Sequence, residues 1–222
     1  MARGIVRRVP FVGVVARGAL AVLAVTPALA APLPRSVDAS RASAKPPEEP
    51  DARLLARCDG PRTIVVYKAA RRLELRCGGA LAARFESSLG FAPAGTKERE
   101  GDGRTPEGEY ALTDKFPSRF HRSLQVNYPN MADADRGLAT GLISAAEHAS
   151  IVRAHRECRT PPQNTRLGSY IQVHGGGGGR DVGDWTLGCV AVDDAEIERV
   201  FAFHLSGCEA DGTPKTRLSL RP

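Results

Sequence analysis

A chain of 222 residues, 42% of them hydrophobic, is long enough for one domain with a substantial core but short for two, and with only 5% aromatics that core must come from Ala, Val, Leu and Ile. Its 23 glycines and 16 prolines argue for many turns in a β-rich domain and against a helix bundle. The net charge of +6 sits largely in the first 30 residues: without Arg3, Arg7, Arg8 and Arg17, Lys+Arg falls from 31 to 27 against 25 acids, leaving +2 and no basic, aromatic-interleaved stripe for nucleic acid.

The N-terminus carries a positive segment, an apolar run over Gly18–Val25 and an Ala28-Leu29-Ala30 motif of the A-x-A type. Residues 1–30 therefore read as a cleaved export signal, since the apolar run is shorter than the ~20 residues of a spanning helix. Residues 31–53 are rich in Pro, Ala and Ser and read as a disordered linker that cannot bury a core. The folded domain is expected over residues 54–222.

Thr63–Tyr67 (TIVVY) is β-branched and Arg72–Cys77 (RLELRC) alternates, so the two are expected to form a hairpin around residues 68–71. A third strand is expected over Leu81–Phe85. Residues 90–108 are dense in Gly, Pro and charge and read as a long functional loop. Glu109–Thr113 and Leu124–Asn127 are further expected strands. Ser144 with Glu147, and Asp193 with Glu196, have capping-box spacing, predicting helices over 145–157 and 194–203. Thr216–Leu220 closes the chain as a strand.

Export implies an oxidising compartment, so paired cysteines are expected as disulfides. There are five: Cys58, Cys77, Cys158, Cys189 and Cys208. Sequence leaves the connectivity open; the preferred pairing is Cys58–Cys77 and Cys158–Cys208, with Cys189 free. No pair has the C-x₂₋₄-C spacing of a zinc site, and no metal is expected. An odd thiol in an exported chain is a candidate nucleophile.

Two segments carry the candidate chemistry. Tyr170-Ile171-Gln172-Val173-His174 precedes five glycines, and alternation places Tyr170, Gln172 and His174 opposite the apolar Ile171 and Val173. The glycines lack the following Lys of a phosphate loop. In Asp184-Trp185-Thr186-Leu187-Gly188-Cys189, Gly188 permits a sharp turn that exposes sulfur and converges backbone N–H groups, as an oxyanion requires. Only a thiolate attacks, so the thiol needs a base, and a histidine within reach supplies one. The Gly175 carbonyl is the expected acceptor that orients the imidazole. Against this stands the ordinary use of cysteine as a small core residue.

With those residues in view, the chain resembles the YkuD-type L,D-transpeptidase family. His174, a gap of about fifteen residues and Thr186-Leu187-Gly188-Cys189 resemble its core motif, and residues 101–110 (GDGRTPEGEY) resemble its upstream one. Tyr128-Pro129-Asn130 and Asp184-Trp185-Thr186 resemble the DWTxGC branch, which includes murein-releasing enzymes. The resemblance spans residues 60–221. It implies a mainly β, α+β fold with a β-sandwich-like mixed sheet, no cofactor, and an acyl-enzyme on cysteine formed at the third residue of peptidoglycan stem peptides. It carries Cys189 over as nucleophile, His174 as base, Gly175 as the carbonyl orienter and the backbone amides near Gly188 and Cys189 as oxyanion donors. Lys97, Arg104, Trp185 and Thr186 are the candidate substrate contacts, with Arg180 as a further cation. The family often has histidine where this chain has Leu187 and arginine where it has Ala191, a departure that fits bond cleavage. The alternatives to transpeptidation are hydrolysis at the same bond and a non-catalytic peptidoglycan-binding module. An exported monomer of the periplasm or cell envelope is expected, with no nucleic-acid partner and no spanning segment after cleavage.

Overall fold

The computed structural model describes residues 51–179 and 181–222, apart from the side chains of 114–117; the expected signal, most of the expected linker and Arg180 lie outside the described residues. After a short helix α1 (Arg53–Ala56), strands β1 (Arg62–Tyr67), β2 (Arg72–Cys77) and β3 (Ala80–Glu86) form an antiparallel meander. Strands β4 (Gly108–Ser118) and β5 (His121–Val126) form a second hairpin. Helices α2 (Met131–Ala139) and α3 (Ala145–Arg156) follow, then β6 (Gln172–His174), β7 (Val190–Ala191), α4 (Asp194–Phe203) and β8 (Thr216–Arg221). The eight strands run in the order β3-β2-β1-β8-β4-β5-β6-β7, a mixed sheet with parallel pairs at β1/β8 and β6/β7. The fold is mainly β with a few helices, as expected from composition. Among the described residues no helix is long and apolar enough to cross a membrane.

Alternation builds the core. Ile64 and Val66, Leu73 and Leu75, Tyr110 and Leu112, and Leu218 and Leu220 all point to one side of the sheet. Ile197, Val200 and Phe203 of α4 pack on that side at helical spacing. Ala134, Ile143, Ile151 and Leu167 form a separate cluster under α2 and α3.

Three local differences from the sequence reading have physical causes. Helix α2 escaped the reading because its capping box is Asn130/Asp133, with Asp in place of the Glu that marked the other two helix starts. Gly137 inside it is there for close approach, since a Cβ would meet Leu167 at 3.0 Å. Strand β4 runs five residues past Thr113, with a register shift between Leu112 and Lys115 where it leaves one half of the sheet for the other. Tyr170 lies outside β6, because its φ of 51° turns the chain immediately before the strand.

Cys58–Cys77 and Cys158–Cys208 are disulfides and Cys189 is a free thiol. The first joins the entry of β1 to the end of β2, and the second ties the end of α3 to the segment before β8. They close loops with sequence separations of 19 and 50 residues. Loop-closure entropy then predicts losses of about 3 kcal/mol for C58A/C77A and about 4 kcal/mol for C158A/C208A. Urea unfolding of the two double variants checks this, and the second should have the lower midpoint.

Candidate active site

The loop that carries Cys189 is held where the sheet curls back on itself. The stretch after β3 pairs with residues 186–191, so the first strand of the order meets the last: Ser88 and Ala191 exchange both backbone bonds at 2.9 Å, Thr186 N–H donates to Leu89 O at 3.1 Å, and Phe91 N–H donates to Thr186 O at 2.9 Å. Asp184 adds an anchor. Its carboxylate accepts from Leu89 N–H at 2.9 Å and pairs with Arg71 at 2.7 Å, in the turn between β1 and β2.

Within that clamp the turn is organised by Thr186. Its hydroxyl donates to Cys189 O at 2.8 Å and accepts from Gly188 N–H at 3.1 Å. Gly188 takes a φ of 134°, and a Cβ there would lie 2.6 Å from Arg104 O, so only glycine fits. The bond to Thr186 commits the Gly188 N–H. This corrects the expectation that Gly188 donates to an oxyanion; its contribution is backbone conformation. No described group accepts from the N–H of Cys189.

His174 ends β6, which is held to β7 by the bond from Val192 N–H to His174 O at 3.0 Å. Its Nδ1 lies 2.6 Å from Gly175 O. A carbonyl only accepts, so Nδ1 carries the proton and Nε2 keeps a lone pair. Phe120, in the turn between β4 and β5, stacks on the imidazole at 4.6 Å, and Trp185 meets it edge-on at 5.7 Å. Trp185 is itself fixed by a bond from its indole N–H to Gly177 O at 3.2 Å. Burial between these rings pushes the His174 pKa below its ordinary value; the Gly175 carbonyl opposes this and the charge of Arg119 adds to it.

Both His174 and Cys189 line one cavity of about 650 Å³, open to solvent, whose walls also include Arg119, Phe120, Tyr170, Gln172, Trp185, Thr186 and Leu187. The thiol is half-buried on the wall, and its Sγ lies 3.5 Å from Tyr170 O. Burial pushes the Cys189 pKa up to about 11, although the Gln172 backbone N–H and the charge of Lys97 favour the thiolate. Among the described residues there is no hydrogen bond between thiol and imidazole. The resting pair is thus a neutral thiol facing Tyr170 O and a neutral imidazole in the same cavity.

The other expected contacts divide. Trp185 and Thr186 line the cavity, but the Thr186 hydroxyl is committed within its own turn. Lys97 and Arg104 do not line it. The Lys97 ammonium is buried against Asp102 at 2.9 Å and Arg99 O at 3.0 Å, and Arg104 reaches Glu98 and Thr96 O at 3.4 Å. Asp102 is the hub of this loop: it accepts from the N–H groups of Glu98, Arg99 and Arg104 as well as Lys97, and its pKa is lowered to about 2 by these bonds against the opposing cost of burial. Sequence reasoning missed Arg119 and Phe120, which belong to no motif, and Asp184 as a structural anchor. Tyr170 and Gln172 were visible as the alternating partners of His174.

A curled mixed sheet with a thiol and an imidazole on the wall of one open cavity defines a β-rich domain with a candidate active site. The family model of the YkuD L,D-transpeptidase catalytic domain matches residues 61–214, and the chain belongs to that family. Solved structures similar to it include Bd1075 of Bdellovibrio bacteriovorus (19% identity, TM-score 0.45, covering 72% of this chain and 47% of that one). Others are the helical cell shape determining protein Pgp2 of Campylobacter jejuni (19%, 0.45, 73% and 48%) and an L,D-transpeptidase of Xylanimonas cellulosilytica (16%, 0.39, 74% and 62%). The chain spans about half the length of the first two. No curated protein matches it.

A thiol with a pKa near 11 is almost wholly protonated at neutral pH. Alkylation of Cys189 by iodoacetamide, followed by intact mass, should therefore accelerate about tenfold per pH unit from pH 7 to 9. A rate that levels off near pH 7 would show a preformed thiolate.

Proposed function

We propose that this chain is an exported peptidoglycan L,D-transpeptidase that forms an acyl-enzyme on Cys189 at the third residue of a stem peptide, a diaminopimelate. The observation that carries the reading is the geometry of the site, with the His174 Nδ1 committed to Gly175 O and the Cys189 thiol on the wall of the same cavity. An imidazole with its lone pair on Nε2 and a neutral thiol share one open cavity, the arrangement for general-base generation of the nucleophile rather than a standing ion pair.

In this reading, substrate entry turns the thiol from Tyr170 O toward His174. Nε2 takes the S–H proton as sulfur attacks the carbonyl carbon. Negative charge moves to the carbonyl oxygen, where the uncommitted N–H of Cys189 donates to it. The imidazolium returns its proton to the leaving amine, normally that of the terminal D-alanine, and a thioester remains. An amine of a second stem resolves the thioester into a crosslink. Gly175 O holds the imidazole in the required tautomer throughout.

A second reading is hydrolysis of the thioester by water, in the DWTxGC branch that cleaves at diaminopimelate. Leu187 is 75% exposed at the cavity and Ala191 is fully buried, so neither offers the polar group often found there in the family. The expected export signal over residues 1–30, the linker over 31–53, an envelope location and a monomeric state belong to the same proposal.

The wild-type chain incubated with a disaccharide-tetrapeptide should gain the mass of an acyl adduct and release D-alanine; a crosslinked dimer marks transpeptidation, and cleaved product alone marks hydrolysis. Cys189→Ala should abolish the adduct, and His174→Ala should slow its formation at least about 10²-fold. Because burial lowers the His174 pKa, the acidic limb of kcat/KM should fall below about pH 6.5. Adduct formation by Cys189→Ala would place the nucleophile elsewhere.

A further inference from the structure

The cavity contains one formal charge that the proposed chemistry does not use. Among the described residues lining it there is no carboxylate, and Arg119 is the only residue with a permanent charge. Its guanidinium is exposed, has no ion-pair partner among the described residues, and lies 4.7 Å above the ring of Phe120. Phe120 in turn stacks on His174, so guanidinium, phenyl ring and imidazole form three successive layers that end at the reacting site.

The base of this arginine is fixed. Phe120 N–H donates to Ser118 Oγ at 3.1 Å, Arg122 N–H donates to Phe120 O at 3.0 Å, and Phe120 O packs so closely on Gly175 that a Cβ there would lie 2.8 Å away. The tip remains free to meet a ligand. Among the described residues, the other two cations expected to do so are withdrawn from the cavity, Lys97 to Asp102 and Arg104 to Glu98. A guanidinium lying over an aromatic ring, on the wall of a cavity whose described lining holds no acid, is suited to bidentate recognition of a carboxylate.

We propose that Arg119 is the specificity residue of this site, binding a free carboxylate of the stem peptide while the peptide carbonyl lies at Cys189. The proposal rests on the peptidoglycan reading above. Two carboxylates are candidates: the one on the side-chain end of diaminopimelate and the one on the terminal D-alanine. The charge of Arg119 also holds down the basicity of His174, so a carboxylate seated on the guanidinium offsets that field and favours proton uptake when substrate is bound.

The test reads binding without turnover. Trp185 is the single tryptophan of the chain and lines the cavity, so its fluorescence reports occupancy in the full-length Cys189→Ala protein. Three stem tetrapeptides are titrated: the free acid, the form amidated on the diaminopimelate side chain, and the form amidated at the terminal D-alanine. One amidation should weaken binding about tenfold or more, and the sensitive form identifies the carboxylate. Adding Arg119→Gln should remove that discrimination, and Arg119→Lys should retain part of it. Equal binding of all three peptides, no binding of any, or discrimination that survives Arg119→Gln overturns the proposal. Wild-type acylation is scored separately: discrimination through Arg119 without any acyl adduct would sink the catalytic reading and leave the carboxylate site standing.

Discussion

The geometry of this site depends on one piece of backbone pairing, the contact between residues 88–91 and 186–191. Through it the sheet curls until its first and last strands meet, and the turn bearing Cys189 is gripped on both sides. One side is β6, which carries His174. The other is the continuation of β3, reinforced by Asp184 bridging to Arg71. Backbone bonds are short-range and directional, so a turn held by several of them has little freedom to drift. Gly90, Gly178 and Gly188 follow from the same constraint. A Cβ at these positions would lie 2.1, 2.4 and 2.6 Å from the backbone oxygens of Gly103, Ala191 and Arg104.

That rigid frame surrounds a candidate nucleophile that is electrostatically at rest. Burial disfavours charge on both partners: it raises the thiol and lowers the imidazole, and the nearby Gln172 N–H and Lys97 charge do not reverse the balance. A neutral pair is cheap to hold in an apolar wall and leaves the sulfur little reactive at neutral pH. In the proposed chemistry the cost moves to the moment of attack, when proton transfer must accompany bond formation. The aromatic sandwich of Phe120 and Trp185 fixes the imidazole plane for that transfer, and the Gly175 carbonyl fixes its tautomer.

The loop over residues 95–105 has the composition of a binding loop and the hydrogen bonding of a support. Its Gly, Lys, Asp and Arg look like a binding loop. In the folded chain Asp102 draws Lys97 and three backbone N–H groups onto itself, and Arg104 places its carbonyl under Gly188. The loop supports the cysteine turn from behind.

Much of the fold was legible in the sequence. The TIVVY and RLELRC runs predicted the first hairpin almost to the residue, the Ser144/Glu147 and Asp193/Glu196 spacings marked two helix starts, and an odd cysteine count required one leftover thiol, which the structure identifies as Cys189. These signals are local: each depends on alternation, capping or counting within a few residues or along one strand. The tertiary structure alone decided that α2 is a helix, that Thr186 spends its hydroxyl on its own turn, that Lys97 is turned inward and that Arg119 lines the cavity. These outcomes depend on which distant segments compete for the same donor, acceptor or charge, and that competition is settled only when the sheet closes and brings β3, the β4–β5 turn and the cysteine turn together.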